Sequence, residues 1–254
     1  MIEFRFDSKV VLVTGASSGI GRATALEFGK WGANVVVNYF KNGEAAQEVV
    51  QEIESQGKKA IAVQADVSKK NEVESLIKKS LQEFNRIDVL VNNAGNLIRR
   101  VKFMEISEEL WDRAVEVNLK SVFLCSQAVV PFMEKQGGGY IINICSGVVH
   151  TGGGYGAVHY AAAKGGVSTL TRGMAKELIG KNIRVNGINP GIIATPLQDT
   201  LTPLEIRESF RKKIPLKREG FPEEIAAVAV FLASPYASFI VGEMIEVNGG
   251  GIMV

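Results

Sequence analysis

Tyr160 and Lys164 stand four residues apart in Tyr160-Ala161-Ala162-Ala163-Lys164, a spacing that puts both side chains on one face of a helix. A phenol with a pKa of about 10 is a poor acid–base group at neutral pH. An ammonium beside it favours the phenolate and draws that value toward the working range. Ser146, a hydroxyl, directly follows the apolar segment 141–145. Far upstream, Thr14-Gly15-Ala16-Ser17-Ser18-Gly19-Ile20-Gly21 separates a valine-rich run from a helical pattern. Three glycines let a backbone turn tightly, approach a pyrophosphate and pack helix against strand. The helix N-terminus then offers unpaired N–H groups and its positive dipole end to phosphates. Any strand-to-helix turn can need a glycine; the position in the first strand–helix unit of an alternating chain gives this one its weight.

The elements that must hold these groups follow from hydrophobic periodicity. Short apolar runs at 9–13, 35–37, 60–63, 87–91, 141–144, 183–188 and 244–247 are expected as strands. Between them lie helical patterns: Ile20, Ala23, Leu26 and Phe28, then Ala46, Val49, Val50 and Ile53, then Val73, Leu76, Ile77 and Leu81 behind Ser68 as the cap. One long helix is expected from Ser107 to about Glu134 and another over about 159–179. Parallel strands need crossover helices, so the expected fold is α/β: one doubly wound domain over 1–254, with a mostly parallel seven-stranded sheet covered on both faces. The segment 195–215 is expected as a lid, with Thr202-Pro203-Leu204-Glu205 starting a helix.

Composition narrows the classes. Lys and Arg number 29 against 27 Asp and Glu, leaving +2, so no bulk charge attracts nucleic acid or an anionic membrane. The uncharged stretch 136–163 is long enough to span a bilayer but is interrupted by eight glycines and several polar residues, and reads as strand, loop and helix start. The N-terminus has acids at 3 and 7 and no long apolar core, so no signal peptide is expected. Cys125 and Cys145 make no disulfide framework, which fits a reducing, cytoplasmic setting. His150 and His159 form no metal-ligand set with them. The stretch 121–133 is apolar nearly all round and the chain ends Gly251-Ile252-Met253-Val254; both favour a homo-oligomer, unless a loop covers the second helix face.

The glycine spacing resembles that of the short-chain dehydrogenase/reductase family, and the resemblance continues in register along almost the whole chain. Asp66-Val67, Asn92-Asn93-Ala94-Gly95, Asn118, Ser146, Tyr160-x-x-x-Lys164 and Asn189-Pro190-Gly191 all match its motifs. It implies a nicotinamide cofactor that carries the hydride, while the protein places a carbonyl or secondary alcohol and handles one proton. Tyr160 would be the general acid/base, with Lys164 lowering its pKa and holding the nicotinamide ribose. Ser146 would donate to the substrate oxygen, and Asn118 would hold a water linking Lys164 to solvent; an Asn inside a helix can also be a packing or bending device. The cofactor would lie along Gly15, Ser17, Ser18, Gly19, Ile20 and Gly21. It would pass Asn38 and Lys41, meet Asp66 and Val67 at the adenine, run by Asn92, Ala94 and Gly95, and reach Pro190, Gly191, Ile193 and Thr195 at the nicotinamide. A tetramer is the assembly the resemblance implies. From Ser146 to Tyr160 is one position more than is common in the family, so Gly152-Gly153-Gly154 is expected to absorb an extra residue.

Cofactor choice is expected to favour NADP(H), with NAD(H) possible. NAD-selective folds place an acid about 20 residues after the glycine loop; here Val37-Asn38-Tyr39-Phe40-Lys41 is followed by no carboxylate before Glu44. Lys41 and Ser17 could approach a 2′-phosphate, or Lys41 is a solvated turn lysine and both cofactors are tolerated. For substrate, the chain resembles 3-oxoacyl-[acyl-carrier-protein] reductases and also bacterial glucose and sugar-acid dehydrogenases. Lys181 falls where the former carry a basic docking residue, whereas Gln136-Gly137-Gly138-Gly139 is bare where they carry another. Arg99 and Arg100 after the fourth strand could meet an anionic substrate or be a solvated loop pair. A cofactor-binding regulator without catalysis would have degraded Tyr160, Lys164 or Ser146, and all three are intact.

Overall fold

β-Branched runs of four to eight residues, bounded by glycines and polar turns, form a single sheet buried on both faces. The strands of the computed structural model are β1 (Val10–Val13), β2 (Asn34–Tyr39), β3 (Ala60–Gln64), β4 (Val89–Asn92), β5 (Gly139–Ile144), β6 (Ile183–Pro190) and β7 (Met244–Val247). They pair in the order β3-β2-β1-β4-β5-β6-β7, all parallel, with Val11 opposite both Val35 and Val89. Residues 4–202 and 204–254 are described. Residues 1–3 and Pro203, on which part of the N-terminal and 202–205 readings rest, lie outside them.

The helices are α1 (Gly19–Lys30), α2 (Gly43–Ser55), α3 (Lys70–Phe84), α4 (Glu108–Val115), α5 (Ser121–Lys135), α6 (Val148–Thr151), α7 (Val158–Leu178), α8 (Pro196–Leu201), α9 (Leu204–Lys213) and α10 (Pro222–Leu232). Side chains alternate along a strand, so each strand feeds two cores. Val11, Val13, Val35, Val37, Val91 and Ile144 pack with Ala25, Phe28, Val49, Ile53 and Ile225 of α1, α2 and α10. Val10, Leu12, Val36, Leu90, Ile141 and Val185 pack on the other face with Leu76, Leu124, Val129 and Ala175 of α3, α5 and α7. Strand order reverses between β1 and β4, which opens a crevice at their carboxyl ends.

Two local expectations need correction. Ser68 does not cap α3: the N-cap is Lys69, and the Ser68 hydroxyl and N–H both donate to Asp66 Oδ1, at 2.6 and 3.0 Å. A nearby carboxylate outcompetes the helix for this hydroxyl. The long helix opened by Ser107 is not uniform either; a π-turn over Glu116–Lys120 separates α4 from α5. That turn holds Asn118, and such insertions concentrate at functional sites.

Candidate active site

The glycine loop is held by its neighbours across the crevice. Asn93 Nδ2 donates to the Thr14 and Gly15 carbonyls at 2.9 and 3.2 Å, and Thr14 Oγ1 accepts from the N–H groups of Asn93 and Ala94. A Cβ on Gly21 would collide with the Gly15 carbonyl and the Asn93 amide, so helix and strand meet only because that side chain is absent. Gly15 and Gly19 have φ of +63° and +55°, the left-handed region that glycine enters at least cost. Ser18 makes no side-chain cap, leaving the first N–H groups of α1 for a ligand's phosphates. The loop therefore fits a dinucleotide pyrophosphate.

Two expected cofactor residues play a different part through their side chains. Asn38 is buried: Oδ1 accepts from Gly15 N–H at 3.1 Å, and Nδ2 donates to the carbonyls of Val63 and Ala65. It fixes the loop from beneath instead of facing an adenosine. Asn92 is likewise buried, donating to Ser126 Oγ and Asn143 Oδ1 between β4, α5 and β5. Thr14 and Asn93 stand inside the matched motifs, but the bracing role of their side chains is not announced by those motifs. Asp66 is held below the usual carboxylate range: hydrogen bonds from Ser68 and the Arg113 charge outweigh burial, which raises it. Val67 is buried beside it, whereas Lys41 is exposed, its Nζ 5.6 Å from the Phe40 ring centroid.

The reacting groups converge where β4, β5 and α7 end or begin. Lys164 is 3% exposed; its Nζ donates to the Ile144 carbonyl at 2.8 Å and sits 5.9 Å from the Tyr160 ring centroid. Burial pushes the Tyr160 phenol up to about 12, against a hydrogen bond with Ser146 that lowers it. The same desolvation lowers the Lys164 ammonium. The expected lowering of the tyrosine by the lysine is thus not realised: desolvation dominates, and the ammonium is engaged by a backbone carbonyl. Asn118 is fully buried; Nδ2 donates to the carbonyls of Asn96 and Ala114, and Oδ1 accepts from Asn96 N–H at 2.9 Å. A Cβ on Gly95 would lie 2.9 Å from Asn118 Oδ1 and 3.2 Å from Lys164 Nζ, so the two polar atoms flank one small gap.

Around this centre runs a rim of loops. After Ser146, α6 adds a short turn that sequence patterning does not reveal, and Gly152, Gly153 and Gly156 follow at positive φ. His150 Nε2 lies 2.8 Å from Glu246 Oε1, and His159 is buried with Nε2 3.1 Å from the Leu97 carbonyl. Pro190 ends β6, Gly191 packs against Asn248, and Ile193 bridges to Gly220. Thr195 caps α8 by accepting from Gln198 N–H at 3.3 Å, and its Cγ2 lies across from Gly19. Glu219 clasps α9 through Arg207 and Arg211. Among the described residues no cluster of three or more His, Cys, Asp or Glu could hold a metal, and no helix is long and apolar enough to cross a membrane.

Comparison with known proteins agrees with this geometry. A family model described as Enoyl-(Acyl carrier protein) reductase matches residues 15–251. The chain belongs to the short-chain dehydrogenase/reductase family. It is an oxidoreductase of that family, with the family's single α/β domain and seven-stranded parallel sheet. The 3-oxoacyl-[acyl-carrier-protein] reductase of Synechocystis sp. is 46% identical over 247 residues, covering 97% of this chain and 98% of that protein. The one from Thermotoga maritima is 44% identical over 246 residues, covering 97% and 98%. In structure, a 7α-hydroxysteroid dehydrogenase complexed with NADH and 7-oxo glycochenodeoxycholic acid aligns with TM-score 0.93 at 38% identity, over 99% of this chain and 97% of that one. A hydroxysteroid dehydrogenase from Escherichia coli aligns at 0.89, also 38% identical, over 99% of both chains. As a member of the family the chain uses NAD(P)(H).

Proposed function

We propose that the protein is an NADP(H)-preferring reductase of 3-oxoacyl thioesters, the acyl group being carried by acyl carrier protein. One observation carries this reading: 43–46% identity to reductases of that name over nearly the whole chain. The Ser146, Tyr160 and Lys164 set is intact at the crevice. A nicotinamide dinucleotide supplies the hydride when bound. Ser146 donates to the substrate carbonyl oxygen and Tyr160 gives it the proton. A phenol is protonated at neutral pH, the form this donation needs, and burial moves it further from ionisation. Lys164 balances the phenolate left behind and holds the ribose, and Asn118 Oδ1 keeps one lone pair for a water beside it.

The glycine loop and the α1 N-terminus hold the pyrophosphate, Asp66 and Val67 the adenine, and Pro190 to Thr195 the nicotinamide. The preference for NADP(H) is supported by the exposed Lys41, which no carboxylate among the described residues pairs with, and by the lack of an acid between Val35 and Glu44. Residues 195–215, carrying α8 and α9, form the lid. A homotetramer is supported by the outer face of α5, where Phe123 and Phe132 stay exposed among the described residues, and by the exposed Met253 and Val254. A cytoplasmic location fits two free, buried cysteines. Oxidation of a sugar or sugar acid is the second reading. It draws on the turn before β5, which carries no basic residue, and on Lys181, whose Nζ is 2.8 Å from Glu134 Oε2. Steady-state assays of acyl-carrier-linked and CoA-linked 3-oxoacyl thioesters against sugars and sugar acids, each with both cofactors, test it. Sugar oxidation with no thioester reduction overturns the proposal; a tenfold kcat/KM advantage for NADH, roughly 1.4 kcal/mol, overturns the cofactor preference.

A further inference from the structure

The segment after β4 runs from the Asn118 amide to the rim of the crevice. Asn96 pairs both backbone groups with Asn118, the Leu97 carbonyl meets His159, and Val101 N–H donates to the Gly156 carbonyl. Between them Ile98 is held at φ +68°, with its N–H donating to Asn96 Oδ1 at 2.7 Å. A β-branched residue enters that region only at a cost, so the surroundings fix this conformation. Its result is to deliver Arg100 to the junction of three segments. Nη1 donates to the Tyr155 carbonyl at 3.1 Å in the 152–156 loop, and Nη2 reaches Thr202 Oγ1 at 3.4 Å at the end of α8.

What this guanidinium lacks is a counter-charge. Among the described residues no carboxylate pairs with Arg100, Arg99, Arg172 or Arg184, whereas Arg207, Arg211, Arg218, Arg113, Arg86, Arg22 and Arg5 all do pair with one; of the four, Arg100 alone has a buried donor without a partner. Its partners are two neutral oxygens, and its Nε is buried with no partner among the described residues. An arginine has five donors in a planar fork that matches an oxyanion, and a buried donor left unmade is costly. An arginine serving only to tie loops together would be expected to fill that donor. The Tyr155 carbonyl and Gly156 belong to the loop that joins Ser146 to Tyr160, so the fork is held against the segment that links two of the reacting groups.

We infer that Arg100 is an anion-recognition residue of the substrate cleft and that the substrate carries a negatively charged group away from its reacting carbonyl. This rests on the reading of the crevice as a carbonyl-reducing site. The shared chemistry is an oxyanion, either the phosphate of a thioester's carrier arm or a carboxylate on a small substrate. Charge-assisted hydrogen bonds are about twice as strong as neutral ones, and the fork makes them directional. Arg99, exposed beside it, is the natural control.

The test measures NADPH-dependent reduction by the full-length protein and its Arg100→Gln, Arg100→Lys and Arg99→Gln variants. Three substrates share the 3-oxobutanoyl group: acetoacetyl-CoA, acetoacetate and neutral ethyl acetoacetate. Quenching of bound NADPH fluorescence reads substrate binding where turnover is slow. Arg100→Gln should lower kcat/KM for the recognised anion roughly 10- to 100-fold, mostly through KM, and leave the neutral ester unchanged. Arg100→Lys should recover part of the loss and Arg99→Gln should lose little. Loss confined to acetoacetyl-CoA assigns the phosphate; loss confined to acetoacetate assigns the carboxylate, and overturns the thioester reading while sustaining this one. Equal loss on all three substrates makes Arg100 a structural tie and overturns the inference. So does wild-type behaviour of Arg100→Gln toward both anions in turnover and quenching.

Discussion

On the β1 side of the crevice, the glycine loop is fixed by short polar side chains working from beneath: Thr14, Asn38 and Asn93 hold backbone groups of residues 14–15 and 93–94. On the opposite side, the rim comprises the turn after Ser146, the 152–156 glycines and α8–α9, tied by long side chains such as Arg100, His150 and Arg207. The first side sits on central strands and can change little without breaking the sheet. The second reaches over the site from loops and helices with exposed faces, where substitutions change which substrate fits. Under the proposed function, a cofactor common to many enzymes is met by the rigid side and a particular substrate by the adaptable one.

The sharpest way to separate the sides is at their seam. Tyr160→Phe keeps the ring and its packing but removes the proton. Under the proposed roles kcat should fall by about 10³-fold, within the 10²–10⁴ range for a lost general acid, while the NADPH dissociation constant changes less than about threefold. Lys164→Ala should damage both, because it serves the ribose as well as the phenol. Fluorescence titration beside single-turnover kinetics distinguishes them; wild-type turnover by Tyr160→Phe would sink the assigned mechanism.

On the rigid side, Gly21→Ala drives a methyl group against the Gly15 carbonyl and the Asn93 amide. Overpacking of this kind costs about 1–3 kcal/mol, and here it also displaces the loop. Expected are a fall in Tm of several degrees and NADPH binding weakened by an order of magnitude or more. The equivalent change on the rim, Gly152→Ala, meets no atom within 4 Å and strains only a φ of +72°. It should cost about 1 kcal/mol and leave cofactor affinity untouched. Equal effects at the two glycines in thermal melts and titrations would break the comparison.

The same contrast explains what the sequence made legible. Strands and the two-faced core were readable because runs such as 35–37 and 141–144 are long enough to mark buried parallel strands. The glycine loop and the Tyr160–Lys164 pair were readable because local geometry asks for those residue types at fixed spacing, and Ser146 because the family resemblance singles it out. What stayed hidden was set by long-range partners. Asn38 belongs to the loop only because Gly15 lies above it, 23 positions away. His150 is tied to Glu246 across 96 positions. The π-turn at 116–120 leaves the helical period of its flanks nearly intact, so nothing in the pattern of 107–134 announces it. The phenol of Tyr160 is raised by burial, a quantity that spacing on a helix face does not contain.

On the adaptable side, Glu219 is 8% exposed and holds Arg207 and Arg211 of α9. Its carboxyl is held below the usual range, first by the hydrogen bond from Arg207, against burial. The stabilisation is therefore present above the ordinary glutamate value and is lost as pH falls through the lowered one. Glu219→Gln should raise KM a few-fold at neutral pH with kcat nearly intact, and speed amide exchange across 204–213. In wild type the same acceleration should appear on acidification, and in the variant it should not. Exchange that is indifferent to both changes would show that α9 is held by something else.

The smallest effect is expected at the outer edge of the adaptable side. Lys181 and Glu134 pair at 2.8 Å with both side chains nearly half exposed, and surface pairs of this kind contribute about 0–1 kcal/mol. Lys181→Glu places two like charges together, yet should leave Tm within a degree or two. Under the thioester reading this lysine meets an acidic carrier protein, so the substitution acts on encounter more than on chemistry. The kcat/KM for a carrier-linked 3-oxoacyl thioester should fall roughly three- to tenfold at low salt, and the loss should shrink as ionic strength rises. Acetoacetyl-CoA, lacking the carrier, should be reduced at the wild-type rate. Identical losses on the two thioesters would move Lys181 from docking to folding. No loss on either would leave the bare turn before β5 as the better guide to the partner, and would favour a small free substrate.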